Sequence, residues 1–281
     1  MRTAFQSWLP QHALSRFAGF MARCQQPWLK NWLIRDFIRR YQVDMRLAVK
    51  ENVTDYRNFN EFFTRALKPE KRPIASAPGA IVSPVDGCVS EFGDLKQNIL
   101  LQAKNKHYEL PALLGGSAEL ATHFRDGKFA TFYLAPRDYH RVHSPCAATL
   151  QAMWHVPGEL FSVNTHTAAT LPNLFVRNER VITLFETQWG PLAVILVGAM
   201  LVASITTVWA GQITPAGKRQ IQHWTYPNQH IVLAKGAELG HFELGSTVIL
   251  LFSPTWPLHW VASMQRQKKV QFGECIGECA E

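Results

Sequence analysis

The chain has 281 residues, of which 47% are hydrophobic and 18% charged, so it can bury a large core and is not a disordered protein. Its net charge of +8 lies entirely in residues 1–72, which hold 14 Lys and Arg against 6 Asp and Glu, whereas residues 73–281 hold 15 of each. A basic module attached to a neutral body argues against a nucleic-acid-binding protein. The five cysteines are odd in number and irregularly spaced, which argues against a disulfide framework and for a reducing compartment.

The N-terminal segment alternates bulky apolar and basic residues. The apolar residues recur at helical spacing and are Trp8, Leu9, Leu14, Phe17, Phe20, Met21, Trp28, Leu29, Trp32, Leu33, Phe37 and Ile38. The basic residues between them are Arg16, Arg23, Lys30, Arg35, Arg39 and Arg40. This pattern predicts helices that lie in a membrane interface; helices packed on the body would show it too, and the two are compatible. Pro10, Arg16, Arg23 and Pro27 interrupt the apolar run, so it is not a signal peptide.

The residue composition of the chain changes near residue 72. Before that point a short amphipathic helix is predicted, with its apolar face formed by Phe59, Phe62, Phe63 and Leu67 and its end set by Pro69 and Pro73. After it come short β-rich runs between Gly, Pro and Asp-Gly turns, at 80–82, 88–92, 129–134, 147–155, 181–186 and 231–233. We therefore predict an α+β fold, with an N-terminal amphipathic helical, membrane-associating module at 1–72 and a β-rich catalytic body of packed sheets at 73–281.

An uncharged stretch at 187–217 contains an apolar run, 192–209, that is long enough to span a bilayer. The run is rich in β-branched residues, follows a Gly-Pro step and is divided by Gly198. These features favour two buried strands, roughly 192–198 and 200–209, over a transmembrane helix.

Three short polar stretches could carry chemistry, and each also has an ordinary structural explanation. Asp86 lies in an Asp-Gly step that suits a simple turn between strands. His140 and His143 follow an apolar strand, where two histidines three residues apart are metal ligands, catalytic groups or surface residues. The segment Leu-Gly-Ser-Thr at 244–247, taken alone, is typical of a turn that enters a strand.

Two further stretches, 157–164 and 173–180, are dense in polar residues and glycine or asparagine, as loops that line a site often are, although surface loops are the default explanation. Cys275 and Cys279 have the spacing of half a metal site. No second pair of Cys or His residues lies nearby, so no metal site is predicted.

Six blocks of sequence occur in a fixed order over nearly the whole chain. They are Tyr-Arg-Asn-Phe-Asn-Glu-Phe-Phe-Thr-Arg (56–65), Pro-Val-Asp-Gly (84–87), Ala-Pro-Arg-Asp-Tyr-His-Arg-Val-His (135–143), Val-Pro-Gly-Glu-Leu-Phe-Ser-Val-Asn (156–164), Asn-Glu-Arg-Val (178–181) and Leu-Gly-Ser-Thr (244–247). Each block is weak alone, but the ordered set resembles the phosphatidylserine decarboxylase family, whose members depend on a pyruvoyl group.

The resemblance implies that the chain makes its cofactor from its own backbone. Asp86 would pair with His143, and His143 would take the proton of Ser246. The Ser246 hydroxyl would attack the carbonyl of Gly245, and the resulting ester would break by β-elimination. Residues 1–245 would become the β chain, and the α chain would begin with a pyruvoyl group at position 246.

The resemblance also implies what the mature site does. The pyruvoyl group would form a Schiff base with phosphatidylserine and accept the electron pair released with carbon dioxide, which yields phosphatidylethanolamine. His140 would donate the proton at that step, and Phe161 would form part of the wall of the substrate site. No metal is implied.

Two other classes of function remain open from the residues alone. One is a Ser-His-Asp lipid hydrolase at the membrane surface, although the Gly-x-Ser-x-Gly pentapeptide of that class is absent. The other is a non-enzymatic membrane scaffold. The resemblance implies phosphatidylserine and an anionic membrane surface as partners, with α and β chains from one precursor and no nucleic acid, and it leaves a homo-oligomer open. It also implies a peripheral protein on the cytoplasmic face of a bacterial cell membrane.

Overall fold

The computed structural model describes residues 11–96, 98–103, 106–199, 204–214, 220–227, 229–243 and 246–280. Trp8 and Leu9 of the N-terminal pattern, part of the second predicted strand at 200–203, and Leu244 and Gly245 of the Leu-Gly-Ser-Thr block lie outside these residues. The α-helices in the described part are α1 Gln11–Ala22, α2 Pro27–Tyr41, α3 Phe59–Phe63, α4 Leu110–Leu113, α5 Ala118–Thr122, α6 Thr165–Thr170 and α7 Leu174–Arg177.

Strands make up most of the regular structure after α3. They are β1 Ala80–Val82, β2 Gly87–Asp94, β3 Ile99–Ala103, β4 Lys106–Glu109, β5 Lys128–Leu134, β6 Arg141–His143, β7 Ala148–Val156, β8 Arg180–Glu186, β9 Leu192–Val197, β10 Ser204–Thr207, β11 Gly211–Gln212, β12 Gln222–Thr225, β13 Val232–Leu233, β14 Glu238–Glu243, β15 Ser246–Phe252, β16 Leu258–Trp260, β17 Lys269–Val270 and β18 Cys275–Cys279.

The largest sheet is antiparallel and contains β15 near its middle. Its strand order is β12-β7-β8-β9-β15-β5-β2-β17, and β13 pairs with β7. Every residue of β15 is buried. Val248, Leu250 and Phe252 belong to the core on one face, and Ile249 and Leu251 to the core on the other. The strand is therefore uniformly apolar after its first two residues, as expected for a strand covered on both faces.

A second sheet has the order β11-β10-β14-β6, and its strand β14 precedes β15 in the chain. Because β14 ends at Glu243 and β15 begins at Ser246, the chain passes from one sheet to the other within two residues. The Gly-Ser step of the Leu-Gly-Ser-Thr block falls at this crossing. A three-stranded sheet, β1-β18-β16, and the β3-β4 hairpin complete the body.

The N-terminal helices share a hydrophobic cluster of their own. Its buried members are Ala22, Ile34, Val43, Tyr56, Phe59, Phe62 and Phe63. The Lys30 ammonium group is buried beside this cluster and donates to the backbone carbonyls of Val53, Thr54 and Tyr56. The ring of Phe63 also reaches the body, where it stacks on His140 with the ring centroids 4.1 Å apart.

The structure confirms the β-rich body and all six predicted strand runs, which correspond to β1, β2, β5, β7, β8 and β13. The apolar run at 192–209 supplies β9 to the large sheet and β10 to the second one. Of the helices within the described ranges, none combines the length and the apolar character needed to cross a membrane.

The predicted extent of the short helix is wrong. Helix α3 ends at Phe63, where the Thr64 hydroxyl donates to the Asn60 carbonyl, and Leu67 instead forms a β-bridge with Ala48. The apolar spacing continued to Leu67, but the chain there is held by backbone pairing to a neighbouring segment, which the spacing does not encode.

Candidate active site

Ser246 is the first residue of β15 and is wholly buried. It pairs with Leu134 at the end of β5, so the start of β15 lies beside the point where the chain leaves β5. Its hydroxyl oxygen has no hydrogen-bond partner among the described residues. Buried hydroxyls are usually hydrogen-bonded, but those of Thr247, Thr131 and Ser204 also have no partner among the described residues. Ser246 is distinguished from them by its place at the start of β15, directly after the crossing from β14.

The loop after β5 carries His140, whose imidazole is fully buried. Its Nε2 lies 3.1 Å from the Ala135 carbonyl oxygen, to which it donates, while its Nδ1 has no partner in the described part of the chain. Burial and the nearby positive charge of Arg65 lower the pKa of His140 to about 3. Its own carbonyl accepts a hydrogen bond from the Phe242 amide of β14, which places this residue beside the strand that leads to the crossing.

His143, at the end of β6, is neutral and has both ring nitrogens occupied. Nδ1 lies 2.9 Å from the Gly236 carbonyl oxygen, which can only accept, so Nδ1 carries the proton. Nε2 then accepts from the Tyr139 hydroxyl at 3.0 Å. The Phe272 ring stacks on the imidazole at 3.7 Å between centroids, and burial lowers the pKa of His143 to about 4. This tautomer presents a basic lone pair at Nε2.

Asp86 lies in the turn between β1 and β2, as predicted, but its carboxylate has other partners than His143. Arg72 donates to it through Nη2 at 2.6 Å and Nε at 2.8 Å, and the Phe272 amide donates at 2.8 Å. The expected hydrogen bond between Asp86 and His143 is therefore not formed, because Arg72 occupies the carboxylate and Gly236 occupies Nδ1. Phe272 links the two side chains, because its amide donates to the Asp86 carboxylate and its ring stacks on the His143 imidazole.

Comparison with known proteins identifies the family to which these residues belong. A family model described as phosphatidylserine decarboxylase matches residues 59–278, and a second, described as PSD, matches residues 1–42. A phosphatidylserine decarboxylase proenzyme of Azotobacter vinelandii is 52% identical over 278 residues, which cover 98% of this chain and 96% of the relative. The chain belongs to the phosphatidylserine decarboxylase family.

Other members are comparably similar. Proenzymes with the same name are 53% identical over 271 residues in Pseudomonas aeruginosa, covering 95% of this chain and 93% of the relative, and 50% identical over 276 residues in Methylococcus capsulatus, covering 98% and 96%. The similarity to these decarboxylase proenzymes therefore extends over both the N-terminal helices and the β-rich body.

Sequence reasoning missed two residues that contact the candidate site residues directly. Tyr139 directly precedes His140 in the chain and its hydroxyl donates to Nε2 of His143, and burial raises the pKa of that hydroxyl. Arg72, which directly precedes the β-rich body in the chain, donates to the Asp86 carboxylate. Together with His143 and Phe272, they line a cavity of about 360 Å³. The Asp-Tyr-His-Arg-Val-His block contained Tyr139, but nothing in the spacing linked Arg72 to Asp86.

Phe161 is buried in the core rather than exposed on an open wall. Asn178 fixes the backbone on either side of it: the Asn178 side chain accepts from the Phe161 amide and donates to the carbonyls of Phe161 and Gly198. The Arg177 guanidinium lies 4.5 Å from the centre of the Phe161 ring. The Asn-Glu-Arg-Val and Pro-Gly-Glu-Leu-Phe blocks of this decarboxylase family thus meet here, and the wall role of Phe161 stays a prediction.

Proposed function

We propose that this chain is a phosphatidylserine decarboxylase proenzyme that cleaves itself between Gly245 and Ser246 and converts phosphatidylserine to phosphatidylethanolamine and carbon dioxide. The observation that carries the proposal is the place of Ser246 at the start of β15, where the chain crosses between sheets, with a wholly buried hydroxyl that has no partner among the described residues. A residue destined to become a pyruvoyl group fits this position, because its hydroxyl must be free to react and the group that replaces it must be shielded from water.

In the proposed cleavage, the Ser246 oxygen forms a bond to the Gly245 carbonyl carbon while the peptide C–N bond breaks, which leaves an ester. Loss of the Ser246 α-proton then breaks the Cβ–O bond and releases the carboxylate of residue 245. The remaining dehydroalanine takes up water and loses ammonia to become the pyruvoyl group. His143 is the base in this proposal, as the family's motif implies; its Nε2 accepts from the Tyr139 hydroxyl in the structure and would have to exchange that partner for the Ser246 hydroxyl.

The carbonyl of Gly236 holds the proton on Nδ1 of His143 throughout, which is the orienting role that was first expected of Asp86. We assign Asp86 a supporting role instead. Its carboxylate anchors Arg72 and the Phe272 amide, and the Phe272 ring fixes the plane of the imidazole.

Once formed, the pyruvoyl group supplies an electron sink for the release of carbon dioxide from an amine-bearing substrate. His140 is the proposed proton carrier at that step. Its buried Nδ1 has no partner among the described residues, so it offers a site for a proton. Because the pKa of the ring is lowered, a proton taken up there is held weakly and is readily passed on. The ring is held in place by the Ala135 carbonyl on one edge and Phe63 on one face.

The N-terminal helices support a peripheral position on a membrane surface. Large aromatic side chains on α1 and α2 are exposed, among them Phe17 at 66%, Phe20 at 73%, Trp28 at 73% and Trp32 at 58%. Arg35 and Arg39 lie beside the two tryptophans. Exposed aromatics next to cations suit an interface with anionic lipid, so we assign residues 1–72 as the membrane-associating module and 73–281 as the catalytic domain, at the cytoplasmic face of a bacterial membrane.

The reaction product distinguishes this function from the two alternatives. Phosphatidylserine labelled in the serine carboxyl group should release labelled carbon dioxide and leave phosphatidylethanolamine; a lipid hydrolase would release fatty acid or a free headgroup instead. Ser246→Ala should abolish the release, whereas Ser253→Ala, at the other end of β15, should retain it. A Ser246→Ala protein that still produces phosphatidylethanolamine would refute the proposal, and a wild-type protein without any turnover would favour the scaffold.

A further inference from the structure

The N-terminal module is attached to the strand that leads to the proposed cleavage site. Glu243, the last residue of β14, lies two residues before Gly245 and has a largely buried side chain. Its carboxylate accepts from the Asn60 side-chain amide at 3.0 Å and from the Arg23 guanidinium at 3.3 Å. Asn60 lies on α3 and Arg23 directly follows α1, so both donors come from the helical module.

The position of Asn60 is itself well determined. Asn60 is buried on α3, a helix that begins where the Asn58 side chain accepts from the Glu61 amide. The same segment contacts residues 135–143, which carry both histidines and are called the histidine loop below: the Phe63 ring stacks on His140, and the Thr64 carbonyl accepts from Arg141 at 2.9 Å. Helix α3 and the residue that follows it therefore contact both β14, the strand before the crossing, and the histidine loop.

Both ends of the crossing are fixed by the surrounding structure. Glu243 pairs with Ser204 in the second sheet and is bound by Asn60, while Ser246 pairs with Leu134 in the large sheet. Only two residues join these ends. Attack of a hydroxyl on the preceding carbonyl requires the reacting atoms at close approach in a defined orientation, so a small displacement of either end reduces the rate steeply.

We propose that Asn60 and Glu243 are positioning residues for self-cleavage, and that the helical module, through this contact, holds the strand in the geometry that Ser246 needs to attack. The inference rests on the proposed function, since it concerns the rate of that cleavage. The helical module would then have a second role besides binding to the membrane.

The test exchanges donor and acceptor. Asn60→Asp places a second carboxylate against that of Glu243, and we expect the conversion of full-length chain into two chains to slow at least tenfold in a purified, time-resolved assay. Adding Glu243→Gln to that variant restores an amide donor facing a carboxylate, and the rate should return to within about threefold of wild type. Glu243→Gln alone keeps an acceptor for Asn60 and should cleave at a near wild-type rate.

Asn58→Asp is the matched control, because it adds the same charge to the same helix while aspartate still caps the first turn. It should cleave normally. Should Asn60→Asp fail to fold, Glu243→Lys tests the same contact from a partly exposed position, by setting an ammonium group against Arg23 and the Asn60 amide; it too should slow cleavage at least tenfold.

The outcomes separate this inference from the proposed function. A wild-type chain that stays whole would overturn both. If the wild type is cleaved and folded Asn60→Asp or Glu243→Lys is cleaved equally fast, the inference alone fails. It also fails if the double variant is as slow as Asn60→Asp, because the defect would then reflect lost packing at Asn60 and not the hydrogen bond.

Discussion

His140 and His143 are both kept neutral by burial, but their proton-accepting nitrogens differ. Nε2 of His143 accepts from the Tyr139 hydroxyl and its Nδ1 is held by a carbonyl, an arrangement that suits a general base. His140 keeps Nδ1 free of partners in the described structure, beside the strand that leads to Ser246. Two histidines of one motif can therefore serve two successive steps.

The pH dependence of self-cleavage follows from the lowered pKa of His143. A base works in its neutral form, and a pKa of about 4 keeps His143 neutral between pH 6.5 and 4, where an ordinary histidine becomes protonated. We expect the cleavage rate to stay nearly constant from pH 8 to pH 5 and to fall below that, as measured by the time course of full-length chain. A midpoint near pH 6.5 would contradict the role of His143.

Circular dichroism must accompany that measurement. In the same window the unfolded chain binds protons that the native histidines do not, so the free energy of unfolding falls as the pH drops from 6.5 towards 4. The rate is meaningful only where the far-ultraviolet spectrum is unchanged.

The ion pair of Arg72 with Asp86 should contribute strongly to stability. Its two side chains are only 9% and 12% exposed, so Arg72→Gln leaves a nearly buried carboxylate without its counter-charge and should lower the free energy of unfolding by about 3 kcal/mol. Urea unfolding of uncleaved Ser246→Ala protein measures this. Arg46→Gln is the control, since Arg46 and Asp44 form the same two-bond contact with Arg46 85% exposed, and little change is expected. Equal effects of the two substitutions would contradict the assignment.

The candidate site residues could be named from sequence, but the partners that the structure gives them could not. The ordered motifs pointed to Asp86, His140, His143 and Ser246. The groups that orient them come from backbone carbonyls and from distant residues: the Gly236 carbonyl lies 93 positions from His143. A carbonyl has no residue-type signal, so only the fold reveals that it takes the place expected of Asp86.

Among the elements, the strands were predictable because burial leaves a clear pattern. Runs of β-branched and apolar residues between turns located β5, β8 and β9, and the division at Gly198 separated β9 from β10. The assignment of those two strands to different sheets was not predictable, because the sequences of both indicate a buried strand and neither indicates its neighbours in a sheet. The end of α3 was also missed, because a side-chain hydrogen bond and a β-bridge determine it and apolar spacing does not.

The loop connections around Asn178 should be as important to stability as a core side chain. Asn178→Ala leaves the Phe161 amide and the carbonyls of Phe161 and Gly198 buried without that partner, so the free energy of unfolding should fall by about 3 kcal/mol. Asn164→Ala removes a single capping bond to the Thr167 amide at an exposed position and should cost about 1 kcal/mol in the same urea titration. A smaller loss for Asn178→Ala than for Asn164→Ala would show that the loops are held by other contacts.

At the scale of the whole molecule, the basic N-terminal quarter is joined to the body by specific contacts and still exposes its aromatic residues. The helices bury Phe59, Phe62 and Phe63 in a cluster of their own while Trp28 and Trp32 remain outside it. Composition and charge predicted the two helices and their exposed faces. Their contacts with β14 and the histidine loop could not be predicted, because they depend on which residues meet when two segments far apart in the chain pack together.

The exposed tryptophans should carry much of the affinity for membranes. The double substitution Trp28→Ser and Trp32→Ser removes two large apolar side chains that would move from water into the membrane interface on binding. Binding to vesicles of phosphatidylcholine and phosphatidylserine should therefore weaken at least tenfold in a sedimentation assay. Val232→Ser, which changes a side chain that is 64% exposed on the body, should bind like wild type. Self-cleavage should be normal in both proteins. Unchanged vesicle binding by the double variant would place the membrane contact elsewhere.

The mass of the purified, active protein tests the central claim most directly. We predict two chains, residues 1–245 and residues 246–281, with the smaller one resistant to Edman degradation because a pyruvoyl group replaces its N-terminal serine. His143→Ala should remain whole, whereas His140→Ala should be cleaved and turn over slowly. An active preparation that contains only the intact 31.9 kDa chain would contradict the account.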